Sequence, residues 1–285
     1  MKHIVLVVIF IVGNLVTGVA QEGYKHSLTG IKKIKLETNT SVKVIAGSAN
    51  EILFRKGAEV HCDDGDNDHD HNHSHGNHNY DYEHHDDDNK DHKDDKAKGL
   101  KAIYPGGVDN TGFGMSIEKD GDLLRVKDLK PFMQRHGFTI TIPKSVNLNL
   151  NCGNLGSAHV EGVSGELEIN SNVGHIHLVD VTGPVTAHSS TGGINVEFVS
   201  LNQSAPVSIS SSTGDVDVTL PSNAKADVEL KSTMGTVYSN FDLEVLREDG
   251  MKVVGATRKV KGRLNNGGVK LYLSSSTGNI YFRKK

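Results

Sequence analysis

The sequence predicts an all-β fold: a single-domain β-solenoid, β-helix-like, built of 18–21-residue coils and carrying a disordered His/Asp-rich insert. Three observations carry this prediction. Glycines 156, 165, 174, 183 and 192 recur every nine residues, and the second and fourth residues after each are apolar. Hydrophobic residues are 36% of the chain, with no Trp, 31 Gly and 6 Pro, a balance that suits many short strands burying small aliphatic side chains. The run 61–98 contains no Val, Ile, Leu or Phe and interrupts the strand pattern.

The first twenty residues stand apart from the fold. Lys2 and His3 are a short basic start, Ile4 to Val12 is apolar, and Gly18 and Ala20 occupy the −3 and −1 positions before Gln21. Residues 1–20 are therefore expected to be a secretory signal peptide, because the apolar run is too short to span a bilayer. No Cys follows the run, so a lipid anchor is not suggested, and no transmembrane anchor is expected after cleavage. The mature chain, 21–285, is expected in the periplasm or at the cell surface.

Residues 22–60 alternate as half-buried strands do. Ile31, Ile34, Leu36, Val42, Val44, Ile52 and Phe54 lie mostly two apart, with turns at Asn39-Thr40 and Gly47-Ser48. The insert then holds twelve Asp, Glu83 and four Lys, a net charge of −9, whereas the rest of the mature chain carries +4. A stretch with so little to bury cannot offset the entropy of ordering and is expected to be disordered without a ligand. Strands resume at 113–119, 123–127 and 138–142, and another begins at Val146, Leu148 and Leu150.

The repeat follows. Ala158/Val160, Leu167/Ile169, Ile176/Leu178, Val185/Ala187 and Ile194/Val196 trail the five glycines, and the beat continues to Gly278 with Ile280/Phe282. Two beats make one coil, clearest in Ser189-Ser-Thr-Gly192, Ser211-Ser-Thr-Gly214 and Ser275-Ser-Thr-Gly278. A five-residue strand cannot bury its apolar pair alone, but stacking coil on coil produces a continuous inner column. A β-sandwich is the alternative, since its turns also recur every 8–12 residues; the regularity of the glycine beat favours the solenoid. Residues 240–261 are irregular and are expected to protrude as a loop or hairpin. Ile280 to Lys285 is expected to be the terminal strand, with lysines blocking edge-to-edge pairing.

The stretches Phe138-Thr-Ile-Thr-Ile-Pro-Lys-Ser-Val-Asn-Leu-Asn-Leu150, Ser189-Ser-Thr-Gly-Gly-Ile-Asn-Val196, Ser211-Ser-Thr-Gly-Asp-Val-Asp-Val218 and Ser275-Ser-Thr-Gly-Asn-Ile-Tyr-Phe282 resemble the bacterial "putative adhesin" domains of unknown function. That resemblance implies a right-handed β-helix-like fold and no established enzymatic activity. It supplies no catalytic residues, and the His/Asp-rich insert departs from its pattern.

The chemistry concentrates in the insert. Its candidate metal ligands are His61, Cys62, His69, Asp70, His71, His73, His75, His78, His84, His85 and His92. Neutral imidazole suits Zn, Cu or Ni ions, and Asp adds oxygen ligands, so several ions per chain are expected at low affinity. Cys62 and Cys152 are the only cysteines, and whether they pair is left open. His175 and His177 share a strand face, with His159 and His188 on neighbouring beats. Asp215/Asp217 and Glu166/Glu168 are carboxylate pairs two residues apart, with no basic or aromatic sugar platform nearby in sequence, and are expected to be solvated outer-face residues. No Gly-x-Ser-x-Gly elbow, His-Glu-x-x-His or P-loop occurs. The basic run Arg258–Arg263 lacks interleaved aromatics, so nucleic acid is not an expected partner. Two functions fit: an exported, non-enzymatic, adhesin-like interaction protein that binds an envelope protein or glycan, or a periplasmic metal buffer or metal-responsive binding protein.

Overall fold

A computed structural model describes residues 23–57, 100, 102–130, 137–245 and 258–285. The expected signal peptide 1–20 and insert 61–98, with all its candidate metal ligands, lie outside the described residues. The described residues form twenty-one strands in two sheets and no helix.

Eight coils give one strand to each sheet. In chain order they are β2 (Lys33–Glu37) with β3 (Val42–Gly47), β6 (Leu123–Asp128) with β7 (Phe138–Pro143), β8 (Asn147–Asn151) with β9 (Ala158–Glu161), β10 (Leu167–Ser171) with β11 (Ile176–Val181), β12 (Val185–Ser189) with β13 (Ile194–Phe198), β14 (Val207–Ser211) with β15 (Val216–Leu220), β16 (Ala226–Ser232) with β17 (Val237–Ser239), and β20 (Val269–Ser275) with β21 (Ile280–Lys284). The first-named strands pair in parallel into sheet B and the second-named into sheet A. Antiparallel strands close the ends: β1 (Gly23–Ser27) and β4 (Glu51–Lys56) on sheet A, and β5 (Met115–Asp120), β18 (Glu244–Val245) and β19 (Arg258–Leu264) on sheet B.

The inner columns are those the alternation predicts. Leu148, Leu167, Val185 and Val207 line sheet B, facing Ala158, Ile176, Ile194 and Val216 of sheet A; all are buried. Each fully buried aliphatic side chain contributes roughly 1.5–3 kcal/mol over exposure, so the interior stabilises through many small equal layers. The in-register offset is 18 residues from Ala158 to Ile176 and again to Ile194, but 22 from Ile194 to Val216, where residues 199–206 lengthen the coil beyond the expected range.

The nine-residue beat is half a coil, so successive glycines fall on opposite corners. At one corner Gly156, Gly174, Gly192, Gly214, Gly278 and Gly235 stack, and a Cβ on any of the last five would run into the carbonyl of the glycine it stacks on. Here glycine is required by close approach of backbone to backbone. A buried serine locks each step: Ser171, Ser189, Ser211 and Ser275 each donate to the glycine carbonyl one coil below and accept the N–H of the glycine three residues on.

The stacking order departs from chain order at both ends. The coil β2–β3 lies between β6–β7 and β8–β9, and the final coil β20–β21 lies between β14–β15 and β16–β17. The expected terminal strand is therefore interior, since β21 pairs with both β15 and β17, and its lysines guard no edge. The expected protrusion at 240–261 is in part sheet: β19 pairs along all of β16, and β18 pairs with β19 at the edge of sheet B. The physical reason is that every coil presents the same apolar inner face, so local pattern does not specify the neighbour.

Candidate functional site

The outer faces of the two sheets carry polar side chains in registered rows. On sheet B one row runs Arg125, Lys35, Asn149, Glu168, Thr186, Ser208, Tyr272, Glu229, Lys261. A second, two residues along each strand, runs Lys127, Glu37, Asn151, Asn170, His188, Ser210, Ser274, Lys231, Lys259.

Each end of this face holds a cleft. The first, about 300 Å³, is lined by Lys35, Glu37, Arg125, Lys127, Ser116 and Glu118, with Gly106 and Gly107 as a wall. Lys127 Nζ donates to the Gly106 carbonyl at 3.2 Å, and Lys35 pairs with Glu37 at 2.7 Å. That hydrogen bond from Lys35, with the positive charges around it, outweighs burial and holds the Glu37 carboxyl below its usual range. The wall leads into a loop built on Asp109, whose carboxylate accepts from the Thr111 N–H and hydroxyl and from the Gly112 and Gly114 N–H groups, each at 2.9 Å. Burial pushes Asp109 up, but these donors together bring it below the ordinary value. The second cleft, about 480 Å³, has Tyr272 among Asp227, Glu229, Lys261, Arg263 and Lys270. Ion pairs run from Arg263 to Asp227 (3.9 Å) and from Lys259 to Glu229 (3.1 Å).

Sheet A differs. His159 and His177 stand opposite each other on adjacent coils, with ring centroids 5.0 Å apart and edge-on. Burial, then the neighbouring His177 and Lys43, lowers the His159 pKa against the opposing pull of Glu161. Further along, Arg283 Nε donates to both Asp217 oxygens at 2.9 Å, its guanidinium lies 5.2 Å from the Tyr281 ring, and Tyr281 stacks on Tyr238 at 5.3 Å.

These contacts amend the sequence expectations. The histidine pair that meets is His159–His177, across coils, rather than His175–His177 along one strand; His188 sits on the other sheet, bonded to Ser210 at 3.0 Å. Asp217, with no basic or aromatic sugar platform nearby in sequence, has both kinds of neighbour in space in Arg283 and Tyr281, brought from far along the chain by the insertion of the last coil. Glu168 is met by Asn149 and by Lys33 at 3.6 Å. No sequence signal announces these neighbours, because the coil order that creates them is not local. Cys152 is free and buried, and burial pushes its thiol up to about 12. Among the described residues no three His, Cys, Asp or Glu side chains converge as metal ligands, and no helix is long and apolar enough to cross a membrane.

The family model for Toastrack DUF4097 matches residues 117–282. Among solved structures, a "putative cell adhesion protein" from Clostridium sporogenes is 13% identical with a TM-score of 0.44, covering 93% of this chain and 98% of its own. A "putative adhesin" from Bacteroides fragilis is 12% identical with a TM-score of 0.32, covering 92% and 96%. A search of the curated proteins finds no match.

Proposed function

We propose that this chain, which belongs to the Toastrack DUF4097 family, is an exported, non-enzymatic, adhesin-like interaction module whose His-rich insert binds divalent metal ions. The observation that supports the first part is the pair of broad outer faces. Ten and eleven strands at about 4.8 Å spacing make rigid surfaces roughly 45 Å long, dressed in registered polar rows. Surfaces of that kind suit contact with an extended envelope partner. Export rests on the basic-apolar-small pattern of residues 1–20.

Metal binding rests on sequence chemistry alone: nine histidines and Cys62 among twelve aspartates between 61 and 98. Imidazole ligates only when neutral, so affinity falls as pH drops through about 6.5. Calorimetry with Zn²⁺, Cu²⁺ and Ni²⁺ on the full chain and on a chain lacking 61–98 tests it. Binding heat that survives the deletion unchanged removes the insert from the function. Pull-down of isolated envelope fractions tests the interaction module, and an absence of any retained component refutes it.

A further inference from the structure

We propose that the outer face of sheet B is a track for an extended, uncharged polysaccharide lying along the solenoid axis; this rests on the interaction-module reading above and names its partner. Between the two clefts, from β8 to β20, the rows present Asn149, Asn170, Thr186, His188, Ser208 and Tyr272 to solvent or half-exposed. Amides and hydroxyls both donate and accept, as sugar hydroxyls do, so such a row can satisfy a glycan in either direction of each bond. Tyr272 adds a flat ring at the mouth of the 480 Å³ cleft, a volume suited to one or two sugar units.

Charge selects the partner class. Over β8, β10, β12 and β14 these two rows hold one carboxylate, Glu168, and it is already engaged by Asn149 and Lys33. Between the two charged clefts a polyanion finds no cationic lane, and a charged protein surface finds few counter-charges. Geometry selects the shape. Coils repeat every ~4.8 Å along the axis, close to the length of one pyranose in an extended β-1,4-linked chain, and two outward residues on a strand span ~7 Å, about the breadth of one ring. One sugar per coil lets each successive unit meet a polar pair of the two rows.

The test uses the full chain and soluble hexasaccharides of β-1,4-linked glucose and of β-1,4-linked N-acetylglucosamine, measured by calorimetry. Thr186→Lys and Ser208→Lys place long charged side chains in the lane without touching the core; Asn195→Lys on sheet A is the control. The expected result is hexasaccharide binding that falls at least about tenfold in each sheet B variant and is unchanged in the control. Trisaccharides, engaging half as many coils, should bind more weakly. Two results overturn the proposal: no binding of either hexasaccharide, or equal loss in the control. If envelope fractions are retained while neither hexasaccharide binds, the polysaccharide track fails and the interaction module stands; if neither is retained, both fail.

Discussion

The Ser189 hydroxyl donates to the carbonyl of Gly174, fifteen residues earlier and one coil below, at 3.2 Å, and accepts the Gly192 N–H at 2.8 Å. Ser189 is fully buried, so both partners depend on it. Ser189→Ala should lower stability by about 1–3 kcal/mol, the cost of leaving buried backbone groups unpaired. Urea unfolding followed by circular dichroism measures it, and a change within experimental error contradicts the corner lock.

Adjacent glycines at the same corner should respond differently. A Cβ on Gly192 would collide with the backbone of Gly174, whereas one on Gly193 meets only His175 Nδ1 at 3.4 Å and the Asp215 carbonyl at 3.5 Å. Gly192→Ala is expected to cost about 1–3 kcal/mol or more because backbone must move. Gly193→Ala should be close to neutral. Equal melting temperatures for the two variants would contradict the stacking.

Phe282 separates an interior coil from an end one. It is fully buried, stands in register between Val218 and Ser239, and packs on Phe241 with centroids 4.8 Å apart. Phe282→Ala should cost about 3–5 kcal/mol, as a core truncation does. A frayed terminal strand would lose far less, so the same unfolding measurement decides between the two placements.

His159 should make the fold acid-sensitive. Its folded pKa lies below the ordinary imidazole value, through burial first and then His177 and Lys43. As pH falls below about 6.5, the unfolded chain takes up this proton before the folded one does, so stability declines with falling pH until the folded imidazole also titrates. His159→Gln removes this contribution. The difference in unfolding midpoint between wild type and variant should therefore shift towards the variant between pH 7 and pH 5, and a pH-independent difference contradicts the assignment.

Cys152 should be inert in the native protein. Its thiol is buried and pushed up to about 12, which leaves almost no thiolate at pH 8. Iodoacetamide should label the Cys152 peptide only after denaturation, as read by mass spectrometry. Labelling at the rate of a free thiol in native buffer would contradict its burial.

The coil unit itself was legible in the chain. Period-two alternation from Leu167 to Ile169, a glycine every nine residues and Ser-Ser-Thr-Gly corners are local features, and each states how one strand turns into the next. Burial then follows the alternation, with Leu167 and Ile169 inside and Glu168 outside. The break at 61–98 is a feature of the sequence for the same local reason, as it holds no Val, Ile, Leu or Phe to offer an aliphatic column, and it lies outside the described residues.

What only the tertiary structure decided is which coil rests on which. Ile280 and Phe282 offer the same kind of inner face as Val237 and its neighbours, so nothing in their pattern places β21 against β15 with β17 outside it. Aliphatic columns are chemically interchangeable; end-capping strands and connection lengths choose among them. That choice brings Arg283 and Tyr281 to Asp217, sets Tyr272 beside Ser208, and makes an edge of Val237–Ser239 instead of Ile280–Lys284. Hydrophobic alternation specifies a layer, whereas the order of layers is a non-local free-energy minimum, and the surfaces available for binding are properties of that order.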